Sequence, residues 1–196
     1  GRGIARWPEN PKLYRHRGHR FITTRQFTRA QEDFERAVVL VRGKPDEVEP
    51  DGAPNAAGVP RSTLQFNIWY HLGLAHYLQG DFEAARDAYR QCLKISNNPD
   101  MLCATSHWLY MTYRRLGREK DARKLLKPIR ADLDVIENRS YLRLLLMYKG
   151  ELPVDSLMAK PSVDREDPNY ATTGYGIGNW YLYNGRKDDA VALFAK

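Results

Sequence analysis

The sequence predicts an all-α fold of about five stacked helix–turn–helix repeats, and three observations carry that prediction. The glycines Gly80, Gly117, Gly150 and Gly185 stand 37, 33 and 35 residues apart. Each lies between two stretches whose apolar residues recur on one helical face. Small residues (Gly18, Gly73, Ala75, Ala85 and Gly178) fall among the large ones at corresponding places, which lets helices approach closely. A single helical hairpin cannot bury its apolar face, so each pair must stack on its neighbours to build one core.

Composition agrees with a foldable chain. Of 196 residues, 42% are hydrophobic and 28% charged, which excludes a disordered polymer. No apolar run approaches the roughly 18 residues that would span a bilayer. The net charge of +7 fits either a solvated basic surface or an acidic partner, whether protein, nucleic acid or membrane surface. Cys92 and Cys103 lack CxxC spacing and cannot make a disulfide framework, so both are expected to be small buried fillers of helices.

Taken in order, the opening RWPENPK places Pro8 where a preceding repeat would close, so the array is expected to begin inside a longer one. Residues 11–44 form a first copy. Tyr14, Gly18 and Phe21 occupy the first helix, and Phe27, Ala30, Phe34 and Ala37 the second. Arg17 replaces a usual leucine and Arg25 the turn glycine. Residues 45–65 contain four prolines and two glycines and read as an inserted acidic loop, ending in the capping-box pattern Ser62-Thr63-Leu64-Gln65. The second copy, 66–99, turns at Gly80-Asp81, where glycine ends one helix and aspartate caps the next. Asn98-Pro99 supplies a cap and a first-turn proline for the third copy, residues 103–136, in which Tyr110 replaces the small residue. The fourth copy, residues 137–160, has a first helix from Glu137 to Tyr148 and a short second helix opened by Pro153. A polar loop is expected at 161–170. The fifth copy, residues 171–196, stops within its second helix, so both ends expose an apolar face that favours self-association.

The stretch 66–99 resembles the tetratricopeptide repeat (TPR), whose pattern is W-x2-L-G-x2-Y…A-x3-F…P. It supplies Trp69, Leu72, Gly73, Ala85, Tyr89 and Pro99, with His76 in place of the tyrosine. The resemblance implies an α-α superhelix, a TPR solenoid; no nucleophile with a paired base and no ligand cluster can be picked out, so no catalytic residue, cofactor or metal is expected. The resemblance also implies that the inner faces of successive first helices bind an extended peptide or a partner helix. Carried across, that groove would hold Lys12, Arg15, His16 and His19 at one end. Asn67, Tyr70, His71, Tyr77, His107, Trp108, Arg114 and Arg115 would occupy its middle, followed by Tyr141, Tyr175 and Asn179. Tyrosine, tryptophan and arginine are the types in which binding energy concentrates. The carboxylate clamp of chaperone-binding TPR proteins is not reproduced, because Arg15 and His19 replace its first pair and Ala104 and Trp108 its last.

Other motifs weigh less. Gly174-Tyr175-Gly176-Ile177-Gly178 lacks the preceding strand of a nucleotide loop and fits close helix packing better. His16 and His19 share a helical face, but no HExxH or Cys/His cluster accompanies them. The expected function is a non-enzymatic protein- or peptide-binding scaffold for an acidic or aromatic partner. The alternatives are a basic aromatic groove for nucleic acid or a small acidic ligand, and the repeat part of a larger enzyme. Arg114 and Arg115 are expected at the groove, with a ligand carboxylate or the insert's own Glu47, Glu49 or Asp51 as partner.

Overall fold

Eleven helices make up the secondary structure of the described residues, and no strand occurs among them. The computed structural model of the chain describes residues 1–49, 55, 57–158 and 168–195. Two compact units divide it, Gly1–Met101 and Leu102–Lys196.

The first unit contains α1 (Arg2–Arg6), α2 (Pro11–Thr23), α3 (Phe27–Val41), α4 (Leu64–Gln79) and α5 (Phe82–Ile95). Asn10 accepts from the Lys12 amide at 3.0 Å and Pro11 opens α2, so a side-chain oxygen and a missing N–H settle two donors of the first turn. The α2–α3 turn passes through Arg25 at φ 57°, the only non-glycine with positive φ among the described residues. Gly80 makes the same left-handed turn at φ 81° between α4 and α5, and Asp81 then accepts from the Ala84 amide at 3.1 Å. The two hairpins pack alike. A methyl group on Gly18 would fall 2.9 Å from the ring of Phe34, and one on Gly73 2.7 Å from the ring of Tyr89. Phe34 and Tyr89 are fully buried, Phe34 in a cluster with Ala30, Leu72, Ala75 and Ala88.

Arg17, in a leucine's place, keeps its charge satisfied through a fork on Asp33 of α3, at 2.7 and 2.6 Å. Asp33 is buried, and its pairing with the guanidinium holds the Arg17 pKa above its ordinary value. The insert differs from a structureless loop at both of its described ends. Val48 and Thr63 form an antiparallel bridge, with Glu49 N donating to Ser62 O at 3.1 Å and Leu64 N to Glu47 O at 2.9 Å. The cap of α4 is Thr63 rather than Ser62, since Thr63 Oγ1 accepts from Phe66 N at 3.3 Å. Gln65 therefore makes no capping box; its side chain donates to Lys44 O at 2.8 Å and its amide to Asp46 Oδ1 at 2.9 Å.

The boundary between the units falls within α6 (Pro99–Arg115), which Asn98 caps by accepting from Met101 N at 3.0 Å. The second unit continues with α7 (Glu119–Leu125), α8 (Arg139–Lys149), α9 (Val154–Met158), α10 (Pro168–Tyr183) and α11 (Lys187–Phe194). Gly117, Gly150 and Gly185 all turn with positive φ. α7 ends early because Pro128 has no N–H and its ring disfavours a helical residue before it. The 126–138 segment that follows has no helix and is tied down by Lys149 Nζ donating to Ile129 O at 2.7 Å. α8 starts at Arg139, two residues after the expected Glu137, and α10 starts at Pro168. Residues 168–170 of the expected polar loop are therefore helical, and 161–167 lie outside the described residues. The glycines of GYGIG lie within α10. A methyl group on Gly176 would meet Leu144 at 2.7 Å, and one on Gly178 would run into the ring of Phe194. Both cysteines are buried, and Cys92 Sγ donates to Phe66 O at 3.8 Å.

Candidate binding groove

In the first unit, α2 and α4 bring Arg15, His19, Asn67, Tyr70 and His71 together. The spacing is helical: Arg15 and His19 are one turn apart on α2, and Asn67 and His71 one turn apart on α4. His19 meets His71 edge-on at 4.8 Å, and Tyr70 meets His71 edge-on at 5.2 Å. His71 stacks on Phe34 at 5.7 Å, which ties the groove wall to the core beneath it. Its Nδ1–H donates to Asn67 O at 2.7 Å. Burial pushes the His71 pKa down to about 3, the backbone bond opposing and the neighbouring His19 and Arg15 adding to the shift. His19 is also lowered, by burial first and by the Arg15 charge second. The ring of His71 is thus neutral at pH 7 and presents an acceptor nitrogen. Tyr77 lies deeper on α4, buried edge-on against Phe82 at 5.2 Å.

A carboxylate of the insert occupies the charged end of this cluster. Glu49 Oε2 lies 3.0 Å from Arg15 Nη2 and accepts from Asn67 Nδ2 at 2.7 Å. Arg15, Glu49 and Asn67 are all buried. Two residues earlier, Glu47 pairs with Lys12 at 3.0 Å in a half-exposed contact. This corrects the expected pairing of these acids with Arg114 and Arg115. The buried Arg15 guanidinium needs an anion, and the Val48–Thr63 bridge turns Glu49 toward it. Asp51 lies outside the described residues.

In the second unit the expected groove residues form an aromatic stack. His107 is buried and lies face to face with Tyr141 at 4.6 Å and with Tyr148 at 5.8 Å. Burial takes its pKa down to about 3. Trp108 lies 6.0 Å from Tyr175, a partly exposed ring. Tyr110, too large for the small-residue position, stacks flat on Tyr148 at 4.3 Å. Asn179 is buried and donates to Tyr175 O at 2.8 Å. Arg114 donates to Tyr110 Oη at 3.1 Å and to Tyr183 O at 3.0 Å, so it ties α6 to the end of α10. Arg115 is exposed.

The sequence reading missed Glu49 as a member of the first cluster. The acids of the insert were visible, but an ion pair between an irregular segment and a helix leaves no periodic signal.

A family profile described as tetratricopeptide repeat matches residues 66–99. That stretch is a tetratricopeptide repeat. Two solved structures share the TPR fold along nearly the whole chain. One is YrrB, a TPR protein described as having an unusual peptide-binding site. It is 18% identical with a TM-score of 0.50, and the match covers 98% of this chain and 87% of that one. The other is a variant of a Podosopora anserina protein of kinesin-light-chain type with nearly identical TPR-like repeats. It is also 18% identical with a TM-score of 0.50, covering 96% and 92% of the two chains. Likeness at this identity establishes the fold. Among curated proteins no sequence match was found. TPR proteins bind peptides or proteins and are generally non-catalytic scaffolds. No helix among the described residues is long and apolar enough to cross a membrane.

Proposed function

We propose that the chain is a scaffold without a reaction of its own, and that the faces of its first helices bind an extended protein segment. The observation that carries this reading is the convergence of Arg15 and His19 from α2 with Asn67, Tyr70 and His71 from α4. One repeat unit supplies a charge, and the next supplies hydrogen-bonding and aromatic groups beside it. Tyr70 and His71 are half-buried, so they offer ring surface without having to be ordered on binding. The solved TPR protein with a peptide-binding site supports the same reading by its fold.

A partner recognised here carries carboxylates, because Arg15 and Lys12 face this end of the groove and already hold carboxylates of the chain. The test is site-specific photo-crosslinking. A photoreactive residue at His16, exposed at the groove rim, is expected to capture a protein partner, and one at Arg90, exposed on α5, is not. Equal capture at both positions, or capture at Arg90 alone, removes the groove reading. A nucleic-acid partner would instead show affinity falling steeply with salt.

A further inference from the structure

The described ends of the insert form a strap, and its contacts with α2 have a regular spacing. Glu47 and Glu49 are two residues apart on an extended segment, so their side chains leave the same side about 6.7 Å apart. Lys12 and Arg15 are three apart on α2, which places them on one face, roughly 5–6 Å from each other. The two spacings match closely enough for flexible side chains to close both pairs at once, each at 3.0 Å. The arrangement is that of an extended acidic peptide laid along a basic helix.

The strap fits its site incompletely. Glu49 Oε2 is held by Arg15 and Asn67, whereas Glu49 Oε1 is buried with no hydrogen-bond partner among the described residues and lies 3.7 Å from His16 Nε2. The Lys12–Glu47 pair is about half exposed and contributes little holding force. The strap pairs with 62–64 through one bridge rather than a sheet, and its root is held by Asp46, which accepts from Thr63 Oγ1 and Gln65 N, and by Lys44 O, which accepts from Gln65.

We propose that Glu47 and Glu49 are a built-in competitor. Within the same chain they occupy the place that an extended partner with acidic residues at alternate positions takes on α2 and α4. The inference rests on the groove reading above and adds the partner's spacing and the means of regulation. A partner must first displace Glu49, so its apparent affinity is reduced by the fraction of time that the strap is seated.

The experiment measures fluorescence anisotropy of a labelled acetyl-AEVEA-amide peptide with the full chain and with a Glu47→Gln, Glu49→Gln variant. Glutamine keeps the bond from Asn67 and removes the charge. The variant is expected to bind about tenfold more tightly than the parent, the figure for a strap seated about nine-tenths of the time. The peptide acetyl-AEEVA-amide, of the same composition and different spacing, is expected to show no gain. Adding Arg15→Met to the variant is expected to abolish the gain. Equal affinity of AEVEA for parent and variant overturns the competitor, and if Arg15→Met weakens both, the groove reading survives that failure. A gain that persists without Arg15 places the peptide elsewhere and overturns the inference. Circular dichroism checks that each variant folds. Should the glutamine form lose helix, Glu49→Asp, one methylene too short to reach Arg15, is expected to give the same gain, and its absence counts against the proposal.

Discussion

Gly73 lies directly beneath the ring of Tyr89, so that a methyl group there would sit 2.7 Å from Tyr89 Cε1. Gly18 with Phe34 and Gly178 with Phe194 repeat the relationship in two other hairpins. The helices of each pair approach as closely as they do because one of them has no side chain at this point. Gly73→Ala is therefore expected to cost ~1–3 kcal/mol, since the buried ring of Tyr89 has nowhere to move. Gly174→Ala is the control. It is helical with no atom of the described residues within 4 Å of the added carbon, and should gain up to about 1 kcal/mol from helix propensity. Urea midpoints decide the matter, and equal shifts for the two variants would refute the packing argument.

Arg25 turns the first hairpin at φ 57°, where four other turns use glycine. An L-residue in this conformation costs roughly 1–2 kcal/mol, partly offset because glycine loses more freedom on folding. Arg25→Gly is expected to stabilise the chain by about 0.5–1 kcal/mol. The reverse change, Gly80→Arg, should destabilise it. A melting temperature that falls on Arg25→Gly would show that the arginine side chain contributes more than its backbone costs.

His71 and His107 are both held neutral by burial, with pKa values of about 3 against an unfolded value of 6.5. Between those values the unfolded chain binds protons that the folded chain does not, so stability falls as the pH drops below 6.5 and continues to fall towards 3. At pH 5 the loss is about 2 kcal/mol for each ring. Denaturant midpoints at pH 7.5 and pH 5 measure it. His107→Phe should retain the stacking on Tyr141 and remove its share of the pH dependence. An unchanged slope in that variant would mean that other groups titrate.

Much of this architecture was legible because it is local or periodic. Gly80, Gly117, Gly150 and Gly185 mark their turns through backbone conformation, and Asn98 and Asp81 cap helices within three residues of themselves. Legibility ended where a distant partner decides the outcome. Arg17 could be seen as a misfit for a leucine position, but its answer, Asp33, lies on the next helix. Thr63 outcompetes Ser62 as a cap while its own hydroxyl donates to Asp46 at 2.6 Å, a contact seventeen residues away. The early end of α7 was readable from Pro128 and was overridden by the repeat period. For the candidate site, residue types and faces followed from helical spacing, whereas the seating of Glu49 on Arg15 depends on the path of an irregular segment.

Arg114 and Arg115 were expected to act together at the groove, and the structure separates their surroundings. Arg114 donates to Tyr110 Oη, to Tyr183 O and, at 3.4 Å, to Asn184 Oδ1, and its guanidinium lies 5.6 Å from the Tyr183 ring centre. Tyr183 ends α10, so its carbonyl is one that the helix itself does not satisfy. Arg114 thus closes a helix end and braces α6 against it. Removing a charged donor from such a carbonyl typically costs ~1–3 kcal/mol. Arg114→Ala is expected to lower the melting temperature clearly, whereas Arg115→Ala, at an exposed position, should lower it by much less. Arg114→Lys keeps the charge but cannot reach both oxygens, so it should recover only part of the loss. If Arg114→Ala melts with the parent while weakening capture of a partner, the arginine faces a ligand and its bonds to α10 are incidental.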